Sequence, residues 1–527
     1  MTSPRDSRVK HSTAGRLLAL VLTIGALGAC SSGSSPLPEL PGRSAKVALV
    51  DSSESVVVTG NSPAEVTAAL SAALFESAPA AVLADPSADL AVADDLGIPV
   101  LIVSDDGAST PTPAAGEADQ ADSAAPNADT ATVGDELERL GVDTVLALGA
   151  AATRVADQAG VEAVPDAAGL PEIEKAEANP ETAVIVAGPE TSGLDEPTTA
   201  AVATTSAAAG ATVIRTRSGD PRETRESVDA AAAAKPTRVI GVGDGLGDPA
   251  QLAARMEAAS TGVQLPGGGQ LHAPGKQYIA QYGYPGVPVL GVLGEQDLDA
   301  SVERAKRQAA AYEELTDQTV VPMFEIITTV ALGEPSPNGN YTNEPDPELF
   351  RPWVERAGEE GIYVVLDLQP GRADLVDQAK KYESLLRHPH VGLAIDPEWK
   401  LKPDQRPLQQ IGQVQAEEVN RVGDWLSGLT RENNLPQKLF VLHQFQLRML
   451  PDREQIKTDH DELQTLIHVD GQGPQGAKQD TWRVMTESPP ENVVWGWKNF
   501  HDEDSPMLTP QQTINQVDPS PVMISYQ

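Results

Sequence analysis

The chain has 527 residues and a formal net charge of −38 at pH 7. This length is too great for one hydrophobic core and predicts roughly two to four domains. The acidic balance excludes nucleic acid as a partner, because phosphates are bound by Lys and Arg. It also argues against electrostatic docking on anionic lipid and suits a soluble body in an extracytoplasmic space.

The first 29 residues have the pattern of a secretory signal peptide. A basic segment precedes an apolar run at residues 17–29, and this run is too short to be a permanent membrane span. The run ends in Leu-Gly-Ala-Cys30, which resembles a bacterial lipobox; a plain signal peptide is the alternative. The resemblance implies that Cys30 is acylated, with palmitate or a similar chain, and anchors the protein to the extracytoplasmic face of the cell membrane. Residues 30–46 then form the acylated cysteine and a flexible tether. Cys30 is the only cysteine in the sequence, so the fold must be stable without a disulfide.

The region after the tether is rich in Ala, Val and Asp, and short apolar runs alternate with helical stretches. Continuous apolar strands of this kind predict parallel sheets covered on both faces. The pattern predicts two α/β repeat units, at residues 47–160 and 161–265. An acidic low-complexity insert, residues 107–130, is predicted to be disordered. The predicted strands are residues 80–85, 98–106, 141–149, 182–188, 210–216 and 236–244.

Two steps in this region, "LGIPVLIVSDD" and "LERLGVDTVLALG", carry a resemblance to the cell-wall-binding repeat type 2 modules of surface proteins. The resemblance implies binding to a wall polymer. The glycine-rich stretch "GVGDGLGD" at residues 241–248 is predicted to be a tight turn between a strand and a helix. A nucleotide loop is disfavoured, because no acidic partner for a ribose follows at the end of a next strand.

The second half of the chain has a different composition, since Phe75 is the only aromatic residue before Tyr278 and all six Trp come later. Residues 266–287 are predicted to be a linker, and residues 288–527 alternate strands with amphipathic helices. The size and order predict a C-terminal (β/α)8 TIM barrel, so that the whole chain is α/β in class. The predicted barrel strands are residues 288–296, 320–331, 362–371, 391–399, 438–446, 463–473, 493–500 and 521–527.

Polar residues lie at the C-terminal end of nearly every predicted barrel strand, where barrels of this type build their sites. Period-2 alternation places Asp367 with Gln369, and His468 with Asp470, on one face of their strands. The sequence therefore predicts a ring that binds substrate. Its predicted members are Glu295, Glu325, Asp367, Gln369, Trp399, His443, Gln444, His468, Asp470, Trp497, Lys498, Asn499 and Tyr526.

The stretch "DPEW" at the end of the fourth predicted strand contains Asp396 and Glu398. An Asp-x-Glu at this place resembles the family 18 chitinases and the family 25 lysozymes. That resemblance implies that Glu398 is a general acid and Asp396 is its orienting partner. A spacing of two strand residues, ~6.6 Å, does not choose between retaining, inverting and substrate-assisted hydrolysis.

Two other functions compete with hydrolysis by this pair. His443, His468, Asp470 and Asp396 are ligand types for a catalytic metal, but no His-x-His follows the first predicted strand, and the sequence predicts neither a metal nor a cofactor. The other alternative is a non-catalytic surface lipoprotein whose barrel only binds a cell-wall glycan. The sequence favours a membrane-anchored lipoprotein with a glycoside-hydrolase-like barrel that acts on an envelope or environmental polysaccharide.

Overall fold

The computed structural model describes residues 46–103 and 128–527. The signal peptide, Cys30, nearly all of the tether and most of the acidic insert therefore lie outside the described residues. Within the described ranges, no helix combines the length and the apolar character that crossing a bilayer requires.

The N-terminal region consists of short strands and helices in alternation. Ser62 and Asp195 cap the helices that follow them through their side chains, as expected for helix N-termini. Its elements in chain order are β1 (Ala48–Leu49), β2 (Val56–Val58), α1 (Pro63–Leu74), β3 (Phe75–Ser77), β4 (Ala80–Ala84), β5 (Val100–Ile102), α2 (Ala128–Leu140), β6 (Thr144–Leu148), α3 (Ala150–Ala159), β7 (Glu162–Val164), β8 (Thr182–Val186), α4 (Pro189–Ser192), α5 (Glu196–Ala208), β9 (Thr212–Arg215), α6 (Arg225–Ala234), β10 (Arg238–Val242) and α7 (Pro249–Ser260).

These strands form two small parallel sheets of four strands each, in the orders β5-β4-β6-β7 and β2-β10-β8-β9, and β1 pairs with β3 in a separate antiparallel ribbon. Each of the six predicted strands contains one strand of the two sheets. The two sheets exchange strands across the predicted boundary at residue 160. Strand β2 precedes the first sheet in the chain but pairs with β10 of the second, whereas β7 follows the boundary and pairs with β6 of the first. The two sheets also share one core cluster, which joins Val82 and Leu101 to Val184 and Ile240.

The stretch "GVGDGLGD" forms a tight turn between β10 and α7. Gly243 has a φ of 106°, and a Cβ there would lie 2.9 Å from the carbonyl oxygen of Ser192. Asp248 then caps α7 by accepting from two backbone N–H groups. The glycines therefore serve the turn and its close packing.

The second half is a closed barrel of eight parallel strands, consistent with a TIM-like barrel. The strand order is β11-β19-β18-β17-β16-β15-β14-β12, and β12 returns to pair with β11. The elements are β11 (Lys276–Gly283), α8 (Leu298–Ala310), β12 (Thr319–Ala331), β13 (Thr342–Asn343), α9 (Arg351–Glu359), β14 (Tyr363–Leu368), α10 (Leu375–Lys381), α11 (Glu383–Leu386), β15 (Val391–Ile395), α12 (Ala416–Glu432), β16 (Lys438–His443), β17 (Leu463–Val469), α13 (Gln475–Thr486), β18 (Val494–Asn499), α14 (Pro510–Gln516) and β19 (Met523–Tyr526).

The barrel departs from the predicted pattern in two places. Strand β11 lies in the predicted linker, while the predicted first strand contains two short 3-10 helices, Pro288–Leu290 and Val292–Gly294. The physical reason is that Gly and Pro interrupt residues 286–294, and Gly291 has a φ of 117°, which suits a turn better than a strand. The second departure is the connection between β16 and β17, where the chain forms only short 3-10 helices.

Side chains that point into the barrel form layers, as strand alternation requires. The lower layers are apolar and include Tyr278, Met323, Tyr363, Leu439 and Leu466. Separate apolar clusters fill the space between the strands and the surrounding helices. The barrel is therefore closed by packed side chains below its mouth.

The N-terminal region packs on the base of the barrel, the end where the strands begin. The guanidinium of Arg222 lies 2.8 Å from Asp220 Oδ2 and 2.9 Å from Asp461 Oδ2, and Arg255 lies 2.6 Å from Asp461 Oδ1. Asp461 precedes β17, in the acidic segment "DHDE" at residues 459–462. We call this set of four residues the base clamp: Asp220, Arg222, Arg255 and Asp461. It leaves the opposite end of the barrel, the mouth, free of the N-terminal sheets.

Candidate active site at the barrel mouth

Each barrel strand contributes one polar residue to a layer at the mouth, directly above the apolar layers. Alternation along the strands places these side chains on the inner face, and all eight residues are buried, with exposures of 4% or less. Asp396 directly follows β15; the other seven lie within their strands. We call this set the inner polar layer: Tyr282, Glu325, Asp367, Asp396, His443, His468, Lys498 and Ser525.

A buried imidazole links two carboxylates in this layer. His443 Nε2 donates to Glu325 Oε1 at 2.9 Å, and its Nδ1 donates to Asp470 Oδ2 at 2.9 Å. Burial alone would lower the pKa of His443, but Glu325 and Asp367 raise it well above its usual value. Burial alone would also raise the pKa of Glu325, yet His468 and His443 lower it. The arrangement is therefore a protonated His443 held between two ionised carboxylates.

The neighbouring members of the layer make fewer contacts than their atoms allow. Tyr282 donates to Asp367 Oδ2 at 2.8 Å, and His468 Nε2 lies 2.8 Å from the hydroxyl of Ser525. Within the described residues, Asp367 Oδ1, His468 Nδ1 and Glu325 Oε2 have no hydrogen-bond partner. Burial, reinforced by the nearby Glu325 and partly opposed by His443, raises the pKa of Asp367 to about 6.

A cavity of about 350 Å³ opens above this layer, a size within the range of small-molecule sites, about 300–1,000 Å³. Its lining combines carboxylates, one ammonium group and aromatic rings. Lys498 Nζ lies 3.5 Å from the centre of the Tyr282 ring, the geometry of a cation–π contact. The lining includes Tyr282, Ile327, Gln369, Asp396, Glu398, Trp399, Phe445, Asp470, Lys498, Phe500 and Glu503.

Asp396 and Glu398 reach this cavity from a short 3-10 helix, Pro397–Trp399, that follows β15. The side chain of Asp396 caps this helix by accepting from the backbone N–H of Glu398 at 3.1 Å. Burial raises the pKa of Asp396 well above its usual value, and burial followed by the charge of Asp470 raises the pKa of Glu398. Asp396 thus fixes the backbone that carries Glu398.

Most of the predicted ring lies at the mouth. The inner polar layer and the cavity lining together contain these predicted residues: Glu325, Asp367, Gln369, Asp396, Glu398, Trp399, His443, His468, Asp470 and Lys498. Gln369 also accepts from the backbone N–H of Ala331 at 3.0 Å. Residues from the ends of six different strands therefore lie together at the mouth.

Five predicted ring residues lie away from the cavity. Glu295 is exposed on the turn before α8 and pairs with Arg304, and Gln444 accepts from Arg453 at 3.1 Å. The remaining three lie on the outer face of their strands, because Lys498 and Ser525 occupy the inner one. They are Trp497, which donates to Asn499 at 2.9 Å, Asn499 itself, and Tyr526, whose hydroxyl lies 2.5 Å from that of Tyr312.

Tyr282, Ser525 and Phe500 lie at the site but are not among the predicted ring residues. Tyr282 belongs to the segment predicted to be a linker, although the alternation of Tyr278, Ala280 and Tyr282 is a signal for a strand. Ser525 lies one residue before the predicted Tyr526, and Phe500 ends the predicted seventh strand. Strict two-residue alternation from Lys498 would have found Phe500.

Three side chains at the floor of the site form a group able to hold a metal ion. One ligand atom each from Glu325, His443 and His468 lies within 4.8 Å of the other two. Imidazole nitrogens and a carboxylate oxygen are ligands that zinc and related ions accept. Glu325 was predicted as a ring residue but was not considered as a ligand.

Comparison with known proteins gives no assignment: no protein-family model matches the sequence, and no curated protein matches it either.

Proposed function

We propose that the protein is a membrane-anchored envelope lipoprotein whose barrel hydrolyses a polysaccharide, with Glu398 as the general acid. The observation that carries this proposal is the position of Glu398, which lines the cavity at the mouth and has a raised pKa. A general acid must hold its proton near neutral pH, and burial is the usual means of keeping it.

The partner proposed for Glu398 is Asp396. Its hydrogen bond from the Glu398 backbone supports an orienting role, because the 3-10 helix that carries Glu398 begins at that contact. Glu398 is half-buried and so is reachable by a ligand, whereas Asp396 is buried beneath it. This difference in exposure supports Glu398, and not Asp396, as the group that meets the leaving oxygen.

The cavity supports a sugar as the substrate. Trp399, Phe500 and Tyr282 bring aromatic rings to a lining that also contains Gln369, Asp470 and Lys498. Flat apolar faces beside a few hydrogen-bonding groups suit a sugar ring, which has apolar faces and polar edges.

A second candidate function is non-catalytic glycan binding. One observation favours it: burial raises the pKa of both Asp396 and Glu398. Hydrolysis by a carboxyl pair requires one ionised and one protonated member, so a pair that is protonated on both sides would bind a sugar without cleaving it.

The proposal is tested with the full chain and a panel of purified cell-wall and environmental glycans. Released reducing ends and glycan binding are measured for the native protein, for Glu398→Gln and for Glu383→Gln, a half-buried control on α11 that pairs with Arg387. We expect Glu398→Gln to lower kcat by roughly 10²- to 10⁴-fold with binding retained, and Glu383→Gln to match the native protein.

Other outcomes separate the two candidates. Release that is unchanged in Glu398→Gln would contradict its role as the acid. Binding by the native chain without release favours the binding module, and a chain that neither binds nor cleaves any glycan contradicts both.

The anchor and the wall contact are further parts of the proposal. Acylated Cys30 would hold the protein at the extracytoplasmic face of the membrane, and the N-terminal sheets would bind a wall polymer. Radiolabelled palmitate and membrane fractionation test the anchor, with Cys30→Ser expected to abolish both labelling and membrane retention. Label that persists in Cys30→Ser would contradict it.

A further inference from the structure

We propose that Glu325, His443 and His468 form a binding site for one divalent transition-metal ion, with Zn²⁺ as the best-fitting ion, at the floor of the mouth. These three side chains lie beneath the cavity that Glu398 lines, and the inference does not depend on glycan hydrolysis.

The distances among the three ligand atoms fit a shared ion. His443 Nε2 lies 2.9 Å and His468 Nδ1 lies 3.4 Å from Glu325 Oε1. Zinc bonds to nitrogen and oxygen of about 2.0–2.2 Å in tetrahedral geometry place neighbouring ligand atoms roughly 3.3–3.6 Å apart. A shift of a few tenths of an ångström at His443, together with release of its Nε2 proton, would therefore admit the ion.

Buried side-chain atoms without hydrogen-bond partners lie around this space. All three side chains are fully buried, and among the described residues no hydrogen-bond partner reaches His468 Nδ1 or Glu325 Oε2. Asp367 Oδ1 is also buried without a hydrogen-bond partner in the described part of the chain, 3.9 Å from His443 Nε2. Buried polar atoms are nearly always paired in proteins, so three unpartnered ones beside each other indicate a missing partner. Asp367 borders the three-ligand group at His443 but does not belong to it.

The outer nitrogen of each imidazole already has the support that metal ligands require. His443 Nδ1 donates to Asp470 Oδ2 at 2.9 Å, which leaves Nε2 aimed at the site. His468 Nε2 lies 2.8 Å from Ser525 Oγ, which leaves Nδ1 facing Glu325. A carboxylate or hydroxyl behind the ligating imidazole fixes the ring and its tautomer in known metal sites.

The donor set selects the class of ion. Two imidazole nitrogens with one or two carboxylate oxygens favour Zn²⁺ and neighbouring first-row ions over Mg²⁺ and Ca²⁺, which prefer all-oxygen ligands. The excess of buried carboxylates at the mouth, Glu325, Asp367 and Asp470 beside His443, provides the negative charge that a dication would neutralise.

The test is titration of the purified full chain with Zn²⁺ by calorimetry, at physiological salt and with excess Mg²⁺ to saturate surface carboxylates. We expect one saturable site per chain and a higher melting temperature with zinc. Replacement by Co²⁺ should give visible absorption bands typical of a low-symmetry nitrogen and oxygen site. His468→Asn should weaken zinc binding by more than about 100-fold, since even the loss of a supporting group costs about 10- to 100-fold.

Two further variants keep the result interpretable. His460→Asn is the matched control, because His460 lies at the base and contacts Asp424, and its zinc affinity should equal that of the native chain. Asp470→Asn keeps all three ligands and should lower the affinity by about 10- to 100-fold, which covers the case in which His468→Asn fails to fold. The absence of a saturable zinc site in the native chain, or an equal affinity in native protein, His468→Asn and Asp470→Asn, would overturn the proposal.

Discussion

The two ends of the barrel both bury ionisable groups but use them differently. At the base, Lys438 Nζ donates to the carbonyl oxygens of His388 at 3.0 Å and Val391 at 2.7 Å, and His272 is held between Tyr278 and the carbonyl of Gln437. At the mouth, the described residues leave buried oxygens of Glu325, Asp367 and Asp470 without a hydrogen-bond partner.

This difference shows which end is built for stability and which for a ligand. Lys438 and His272 at the base spend their hydrogen bonds on backbone carbonyls and a tyrosine hydroxyl, so these two groups retain little capacity for an external molecule. Groups at the mouth retain that capacity, at a cost in folding free energy that only a bound partner would recover. The same division between strand beginnings and strand ends is general in barrels of this type.

The largest expected effect comes from breaking the base clamp with Arg222→Ala. The guanidinium is 6% exposed and contacts both Asp220 and Asp461. Its removal takes away the group that donates two hydrogen bonds to buried Asp220 and leaves Asp461 paired with Arg255 alone. Breaking a buried ion pair from one side costs about 3–5 kcal/mol, and we expect the free energy of unfolding to fall by that amount.

Denaturant unfolding at pH 7 checks this prediction. Arg421→Ala is the control, because Arg421 pairs with Asp374 at an exposed site, where ion pairs contribute about 0–1 kcal/mol. Equal effects of the two substitutions would mean that the clamp contributes no more than a surface pair.

An intermediate effect is expected from Lys438 at the base when pH is varied. Burial lowers its pKa to about 7, below the value near 10.5 of an unfolded chain, so the unfolded chain binds more protons between these limits. Stability should therefore rise with pH through this window. From pH 7 to pH 9 the gain is on the order of 2 kcal/mol.

In Lys438→Met, this part of the rise in the free energy of unfolding between pH 7 and pH 9 should be absent. A smaller rise remains in the variant, because burial also lowers the pKa of Lys276 to about 8. The measurement is the free energy of unfolding of both proteins at pH 7 and pH 9. An equal gain in both would show that Lys438 is not the source.

The smallest expected effect lies at the mouth, where the pH dependence of stability has the opposite sign to that of Lys438. Burial raises the pKa of Asp396, so the folded state disfavours its ionised form, and its stabilising contribution is lost as pH rises through the folded value. Asp396→Asn removes that charge and keeps an oxygen able to accept from the Glu398 backbone. We expect the free energy of unfolding to increase by about 1 kcal/mol at pH 7, as is typical when a destabilising group is removed from a functional site.

The increase should vanish at acid pH, where native Asp396 is protonated as well. Thermal unfolding of the two proteins at pH 4 and pH 7 tests this. A variant less stable than the native protein at pH 7 would remove the contrast between the two ends of the barrel.

The barrel and the polar ring were predictable because both depend on simple periodicities. Strands such as β15 and β17 are continuous apolar runs, and inner and outer faces alternate along them. What could not be predicted was β11, whose inner face holds Tyr and Ala instead of aliphatic residues, and the outward position of Trp497 and Tyr526. Contacts between distant strand ends, such as His443 with Glu325, depend on how the strands are staggered around the closed barrel, which sequence alone does not give.

The exchange of β2 and β7 between the two N-terminal sheets has a consequence for how this chain is divided. A cut at residue 160 would leave each fragment with an edge strand that belongs to the sheet of the other fragment. Fragments made at that point should therefore recognise each other when mixed, and neither is expected to serve as an independent module. In this region, the strands of one sheet are encoded by stretches of the gene that are not contiguous.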